Sequence, residues 1–126
     1  MSKGTRRERE AVALYHDAGM ATYRPATVQY GENDVFGLFD ILAFSPNHDC
    51  MHAIQVKSNG ARGIRKWTAH TALFRSLGMR TFYLVPYDRE GWRLIEATSD
   101  GTETIVDERE SDGKIGDDLT AYLTAL

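Results

Sequence analysis

Three side chains between positions 35 and 57 have types and spacing suited to a hydrated cation: Asp40, Gln55 and Lys57. Asp40 is the single charge in an otherwise apolar run, Val35-Phe36-Gly37-Leu38-Phe39-Asp40-Ile41-Leu42-Ala43-Phe44. An unpartnered buried carboxylate is strongly destabilising, so one kept in such a run is expected to face a cation, a metal or several donors. Ile54-Gln55-Val56-Lys57 ends a second run, and Ser45 to Cys50 between them are residue types that close turns. A turn centred between Asn47 and His48 sets Asp40 directly opposite Gln55, and opposed residues share a face. The strand period of two then brings Lys57 to that face. A hard divalent cation takes oxygen ligands, which a carboxylate, a side-chain amide and a neighbouring backbone carbonyl such as that of Val56 can supply. A lysine beside it can orient or deprotonate water, or offset charge developing on a phosphate.

These groups need a scaffold, and its elements can be read along the chain. The near-continuous apolarity of Val35 to Phe44 suits a strand covered on both faces, antiparallel to the strand ending at Lys57. Before it, Thr5 with Glu8 three residues on reads as a helix start with a capping box. Ala11, Val12, Leu14, Tyr15 and Ala18 give that helix its apolar stripe, and Gly19 suits its C-terminal cap. A short strand is expected over Ala21 to Ala26, then a polar loop from Gln29 to Asp34 whose Glu32 and Asp34 are rival acids for a cation. Ser58 to Gly63 reads as a flexible connection, followed by a helix from Ile64 to Leu77 burying Ile64, Trp67, Leu73, Phe74 and Leu77. Strands are expected at Arg80 to Pro86 and Trp92 to Ala97. Thr98 to Gly116 is polar and acidic and reads as a surface loop in which Thr104-Ile105-Val106 is the one possible strand. Asp117 can cap a last helix with the stripe Leu119, Tyr122, Leu123 and Leu126. The order helix, three strands, helix, two strands, helix predicts an α/β (α+β) fold, a mixed sheet flanked by helices in one domain over residues 1–126.

Length and composition agree with one soluble globular domain: 126 residues, 42% hydrophobic and 26% charged. No apolar run approaches a membrane span or a signal-peptide core, so a cytoplasmic, intracellular protein is expected. Cys50 is the lone cysteine, and His16, His48, His52 and His70 share no metal-ligand spacing, which argues against a zinc site. The net charge of -3 is unevenly distributed. From Ile41 to Tyr87 six bases (Lys57, Arg62, Arg65, Lys66, Arg75 and Arg80) face one acid, Asp49, whereas Asp88 to Leu126 holds eleven acids and four bases. The overall sign therefore does not exclude nucleic acid. Arg62, Arg65 and Lys66, near Lys57, are the strongest candidate phosphate contacts.

Asp40 followed after a turn by Gln55-Val56-Lys57 resembles the PD-(D/E)XK nuclease motif, with glutamine in place of the usual acid. Lys3-Gly4, Glu8-Arg9-Glu10 and Tyr23-Arg24-Pro25-Ala26-Thr27 extend the resemblance to the archaeal Holliday junction resolvase branch, over roughly the first two thirds of the chain. Phe39 stands where that motif has proline. The resemblance implies a restriction-endonuclease-like fold and a site in which Glu8 joins Asp40, Gln55 and the Val56 carbonyl around Mg2+ or Mn2+, with Lys57 acting on water or the phosphate. It also implies a small hydroxyl residue near the substrate, here Thr27. Arg6, Arg7 and Arg9 are ordinarily solvated charges, but beside such a site they and Arg24 are candidate DNA contacts.

The leading expectation is a metal-dependent endonuclease that hydrolyses DNA phosphodiester bonds. The resemblance implies a homodimer cutting four-way junctions in DNA recombination and repair, although restriction and repair enzymes share the superfamily. Two alternatives stay open. Neutral Gln55 suits a non-catalytic DNA-binding module on the same fold, and the acidic C-terminal third suits a protein-interaction domain.

Overall fold

Residues 3–25, 35–45, 50–88, 91–108 and 117–126 are described by a computed structural model. Helix α1 (Lys3–Asp17) is followed by strands β1 (Ala21–Tyr23), β2 (Ile41–Phe44) and β3 (Met51–Val56). Then come helices α2 (Ile64–His70) and α3 (Ala72–Ser76), strands β4 (Arg80–Tyr87), β5 (Gly91–Thr98) and β6 (Gly101–Asp107), and helix α4 (Asp117–Ala125). The six strands form one sheet in the order β1-β2-β3-β4-β5-β6. Only β3 and β4 are parallel, and α2 and α3 make the crossover between them. This is the expected mixed sheet with flanking helices, enlarged by one strand.

Each face of the sheet has its own apolar layer. Ala11, Leu14 and Tyr15 of α1 and Leu119 and Leu123 of α4 pack with Ile41, Ile54 and Leu84 on one face. Trp67 of α2 packs with Phe39, Ala53, Tyr83 and Val85 on the other. Strand residues alternate between the layers, so a position's parity tells which helices it faces. Of the stripe expected for the first helix, Ala11, Leu14 and Tyr15 are buried and Val12 and Ala18 partly so, and Gly19, at φ +91, closes that helix with its N–H bonded to the His16 carbonyl at 3.0 Å. Thr5 is not the cap, because the helix already begins at Lys3. No helix among the described residues is long and apolar enough to cross a membrane.

Three further expectations are corrected. Val35 to Phe44 is not one strand: β2 starts at Ile41, and Val35–Phe39 is a tight turn in which Val35 N–H reaches the Phe39 carbonyl at 2.7 Å. Phe36 and Gly37 both take positive φ, 57° and 68°, which turns the chain instead of extending it. The turn is apolar because Phe39 belongs to the core and Leu38 packs against it. The helix expected from Ile64 to Leu77 is two helices meeting at Thr71, whose side chain is buried, while Leu73 and Leu77 are exposed at 64% and 71%. Arg75 fills the space beside that junction, donating to Thr71, Thr81 and the Thr68 carbonyl, and desolvation lowers its pKa. Finally, Gly101–Asp107 is a full edge strand antiparallel to β5, with a register shift at Leu94/Ile95, and not part of a surface loop. It is hard to see in sequence because its outward side is polar and Val106 is its one buried residue.

Candidate active site

The β2–β3 pairing sets Ile41 against Ile54 and Leu42 against Ala53. That is the register expected of a turn centred between Asn47 and His48, residues that themselves lie outside the described ones. Asp40 stands one position before β2, where its backbone N–H donates to the Ile54 carbonyl at 2.8 Å. The Val56 N–H donates to Asp40 Oδ2, also at 2.8 Å, and fixes the carboxylate against the end of β3. A backbone N–H bonded to a carboxylate is a charge-assisted contact of above-average strength.

Gln55 and Lys57 continue the parity of Ala53, so they project to the side covered by α2. The Gln55 Oε1 is buried and has no hydrogen-bond partner among the described residues. Lys57 is exposed just beyond β3, its N–H bonded to the Leu84 carbonyl at 3.0 Å. The structure thus brings Asp40, Gln55 and Lys57 to one end of one hairpin.

Several residues around this group carry no motif signal. Tyr83 lies beside Gln55 in the parallel β3–β4 pairing, and its hydroxyl donates to the Arg62 carbonyl at 2.9 Å. Burial, and then the nearby charge of Asp40, raise the Tyr83 pKa, so the hydroxyl keeps its proton and its role as donor. The Trp67 indole N–H donates to the Leu38 carbonyl at 2.7 Å, tying α2 to the turn that delivers Asp40. The expected flexible connection after Lys57 is pinned: Asn59 N–H reaches the Pro86 carbonyl at 2.8 Å. The Asn59 side chain donates to Asp88 Oδ2 at 3.2 Å and accepts from the Asp88 N–H at 2.8 Å. Asn59 takes φ 64, which asparagine tolerates better than most residues. Only knowledge of which strand neighbours β3 could have found Tyr83, Asn59 and Asp88.

The remaining candidates divide. Arg62, Arg65 and Lys66 are exposed at the start of α2, on the side to which Lys57 projects, and Arg6 and Arg9 are exposed on α1. Arg7 is turned inward. Its guanidinium lies 2.9 Å from Glu10 and 3.5 Å from Asp88, and stacks 5.6 Å from the Trp92 ring centre. Arg24 is paired with Glu8 at 3.3 Å, with both side chains mostly covered, so Glu8 is neither a free carboxylate nor a capping-box acid. Thr27, Glu32 and Asp34 lie outside the described residues. A cleft of about 390 Å³ between α1 and α4, lined by Leu14, Ala18 and Thr120 among others, contains none of the hairpin groups.

Hard oxygen donors suit a divalent cation, and the Asp40 carboxylate, the unpartnered Gln55 oxygen and the Val56 carbonyl fit that demand. Among the described residues no three His, Cys, Asp or Glu side chains gather as a metal cluster. A cation here would depend on one carboxylate, Asp40, supplemented by the Gln55 amide and backbone.

No protein-family model and no curated protein matches the chain. Among solved structures, the fold is similar to that of Archaeoglobus fulgidus Hjc, a Holliday junction resolvase from an archaeal hyperthermophile. The TM-score is 0.52 and the identity 23%, with 83% of this chain and 88% of that chain covered. At that identity the likeness is one of fold: this chain has the mixed-sheet architecture of the Hjc resolvase structure.

Proposed function

We propose that this chain is a metal-dependent DNA endonuclease that hydrolyses phosphodiester bonds at branched DNA, four-way junctions foremost. The observation that carries this reading is the convergence of Asp40, an unpartnered Gln55 oxygen and Lys57 at one hairpin end, beside the exposed bases Arg62, Arg65 and Lys66. The junction preference rests on the fold shared with a protein whose own substrate is the Holliday junction.

In this reading Asp40, Gln55 and the Val56 carbonyl hold Mg2+ or Mn2+, and Glu8 joins them only by releasing Arg24. When bound, the cation polarises a phosphoryl oxygen and makes water more acidic. The Lys57 ammonium offsets charge developing on the phosphate and orients the attacking water. Arg62, Arg65, Lys66, Arg6 and Arg9 position the DNA backbone, a role in which charge matters more than base identity. Thr27 and Arg24 are candidates for the substrate approach. The chain acts as a homodimer, for which the exposed apolar side chains Phe36, Leu73 and Leu77 supply a surface.

A cleavage assay on labelled four-way junction, flap and linear duplex DNA with Mg2+, Mn2+ or EDTA tests this. Metal-dependent cutting is expected, favouring the junction, and Asp40→Ala and Lys57→Ala should each lower it by about a hundredfold or more. The neutral Gln55 and the Glu8–Arg24 pair favour one second reading, a DNA-binding module that does not cut. Binding without cleavage under every metal condition would establish that reading instead.

A further inference from the structure

Among the described residues the hairpin site has oxygen donors but little negative charge. Asp40 contributes one negative charge and Lys57 one positive charge, while Gln55 contributes a dipole and no charge. The Glu8 carboxylate is compensated by Arg24 at 3.3 Å, with side-chain exposures of 23% and 18% that shield the pair from water. Arg62, Arg65 and Lys66 add three exposed positive charges on the neighbouring element. Opposite charges nearby favour an ion's binding and like charges oppose it. The same field draws phosphate in and holds a divalent cation off.

The geometry points to an ordered site: the free protein does not retain a divalent cation, and DNA supplies the charge that admits one. This rests on the nuclease reading and deepens it. The buried Gln55 oxygen is a waiting ligand, since an unpartnered buried acceptor is destabilising until something donates to it or coordinates it. A phosphodiester held by Arg62, Arg65 and Lys66 carries the negative charge that glutamine does not. Metal and DNA then strengthen each other's binding, and the coupling is reciprocal.

The sign of the metal effect on DNA binding makes this testable without cleavage. Divalent cations ordinarily weaken protein–DNA association by competing for phosphates. Here, anisotropy of a labelled four-way junction at constant ionic strength should show binding at least about tenfold tighter in Ca2+ than in EDTA, within the usual range of such coupling. Asp40→Asn should remove that enhancement. In parallel, loss of the electron paramagnetic resonance signal of free Mn2+ reports uptake by the protein without DNA. Wild type should take up none at roughly 0.1 mM, whereas Gln55→Glu, which restores a charge with almost the same shape, should take up about one equivalent.

Stoichiometric Mn2+ uptake by the free wild-type protein, with no tightening of junction binding in Ca2+, would overturn the inference and leave the nuclease reading intact. Absence of Mn2+ uptake by wild type and folded Gln55→Glu alike, with junction binding weakened by Ca2+ as by any salt, would overturn both.

Discussion

Arg6, Arg7 and Arg9 occupy less than two turns of α1, yet the fold treats them differently. Arg6 and Arg9 are exposed, whereas Arg7 is 8% exposed, pairs with Glu10 on its own helix, and links α1 to the end of β4 through Asp88 and the Tyr87 carbonyl, over the Trp92 ring. Exposed ion pairs contribute little, but a covered guanidinium stacked on an aromatic and bonded to backbone contributes more. Arg7→Ala should therefore lower unfolding stability by about 1–3 kcal/mol. Arg9→Ala should stay within about 0.5 kcal/mol of wild type and instead weaken DNA binding, reducing the dependence of log affinity on log salt by about one contact. Denaturant melts and salt titrations of both variants check this, and a stable, DNA-deficient Arg7→Ala would contradict it. Residues of the hairpin were legible in sequence because Asp40, Gln55 and Lys57 are related by a short turn and a period of two. Arg7 was not, because its partner Asp88 is 81 residues away. Tyr83 was likewise hidden, since its hydroxyl meets a carbonyl 21 residues away through a sheet order that local pattern does not reveal.

At the scale of elements, boundaries depended on side-chain interactions that periodicity cannot see. Helices and strands with a clear apolar stripe, such as α1 and β4, were expected in their places. The misreadings came where apolar residues serve something other than the regular element: the Val35–Phe39 turn sends Phe39 into the core, and Leu73 and Leu77 face solvent. The start of α4 is a further case. Glu108, buried just after β6, accepts the Leu119 N–H at 2.7 Å, so a carboxylate eleven residues upstream caps the helix. Orphan amides at a helix start need acceptors, and a negative charge there also meets the helix dipole favourably. Glu108→Ala should cost about 1–2 kcal/mol, expressed first as faster hydrogen exchange across α4, because Leu119 and Leu123 hold that helix on the sheet. Glu108→Gln, which keeps an acceptor, should lose less. Unchanged exchange in Glu108→Ala would mean that apolar packing alone sets the start of α4.

Across the whole molecule the net charge of -3 conceals a separation. Exposed Arg62, Arg65 and Lys66 lie on the connection from β3 into α2 and on the start of that helix, while Glu103 and Asp107 are exposed on β6 at the sheet edge. Under the nuclease reading, the acidic edge disfavours docking of DNA in the opposite orientation. A second separation is apolar. Phe36, 74% exposed, contacts Phe74 at 5.3 Å between ring centres, and Leu73 and Leu77 flank Phe74 on the same short helix and its end. Exposed apolar side chains on α3 and on the turn that contacts it favour burial against another molecule, and a two-fold axis would let the same surface serve both partners. Sedimentation velocity should accordingly find a dimer in wild type and a monomer in Leu73→Asp/Leu77→Asp. Because both leucines are exposed, the double variant should keep the secondary structure of wild type by circular dichroism. Under the nuclease reading, a monomer presents one hairpin site where a junction offers two related strands, so the variant should nick junctions singly instead of cutting both strands in one binding event. A wild-type monomer that resolves junctions in paired cuts would refute the link between this patch and the reaction.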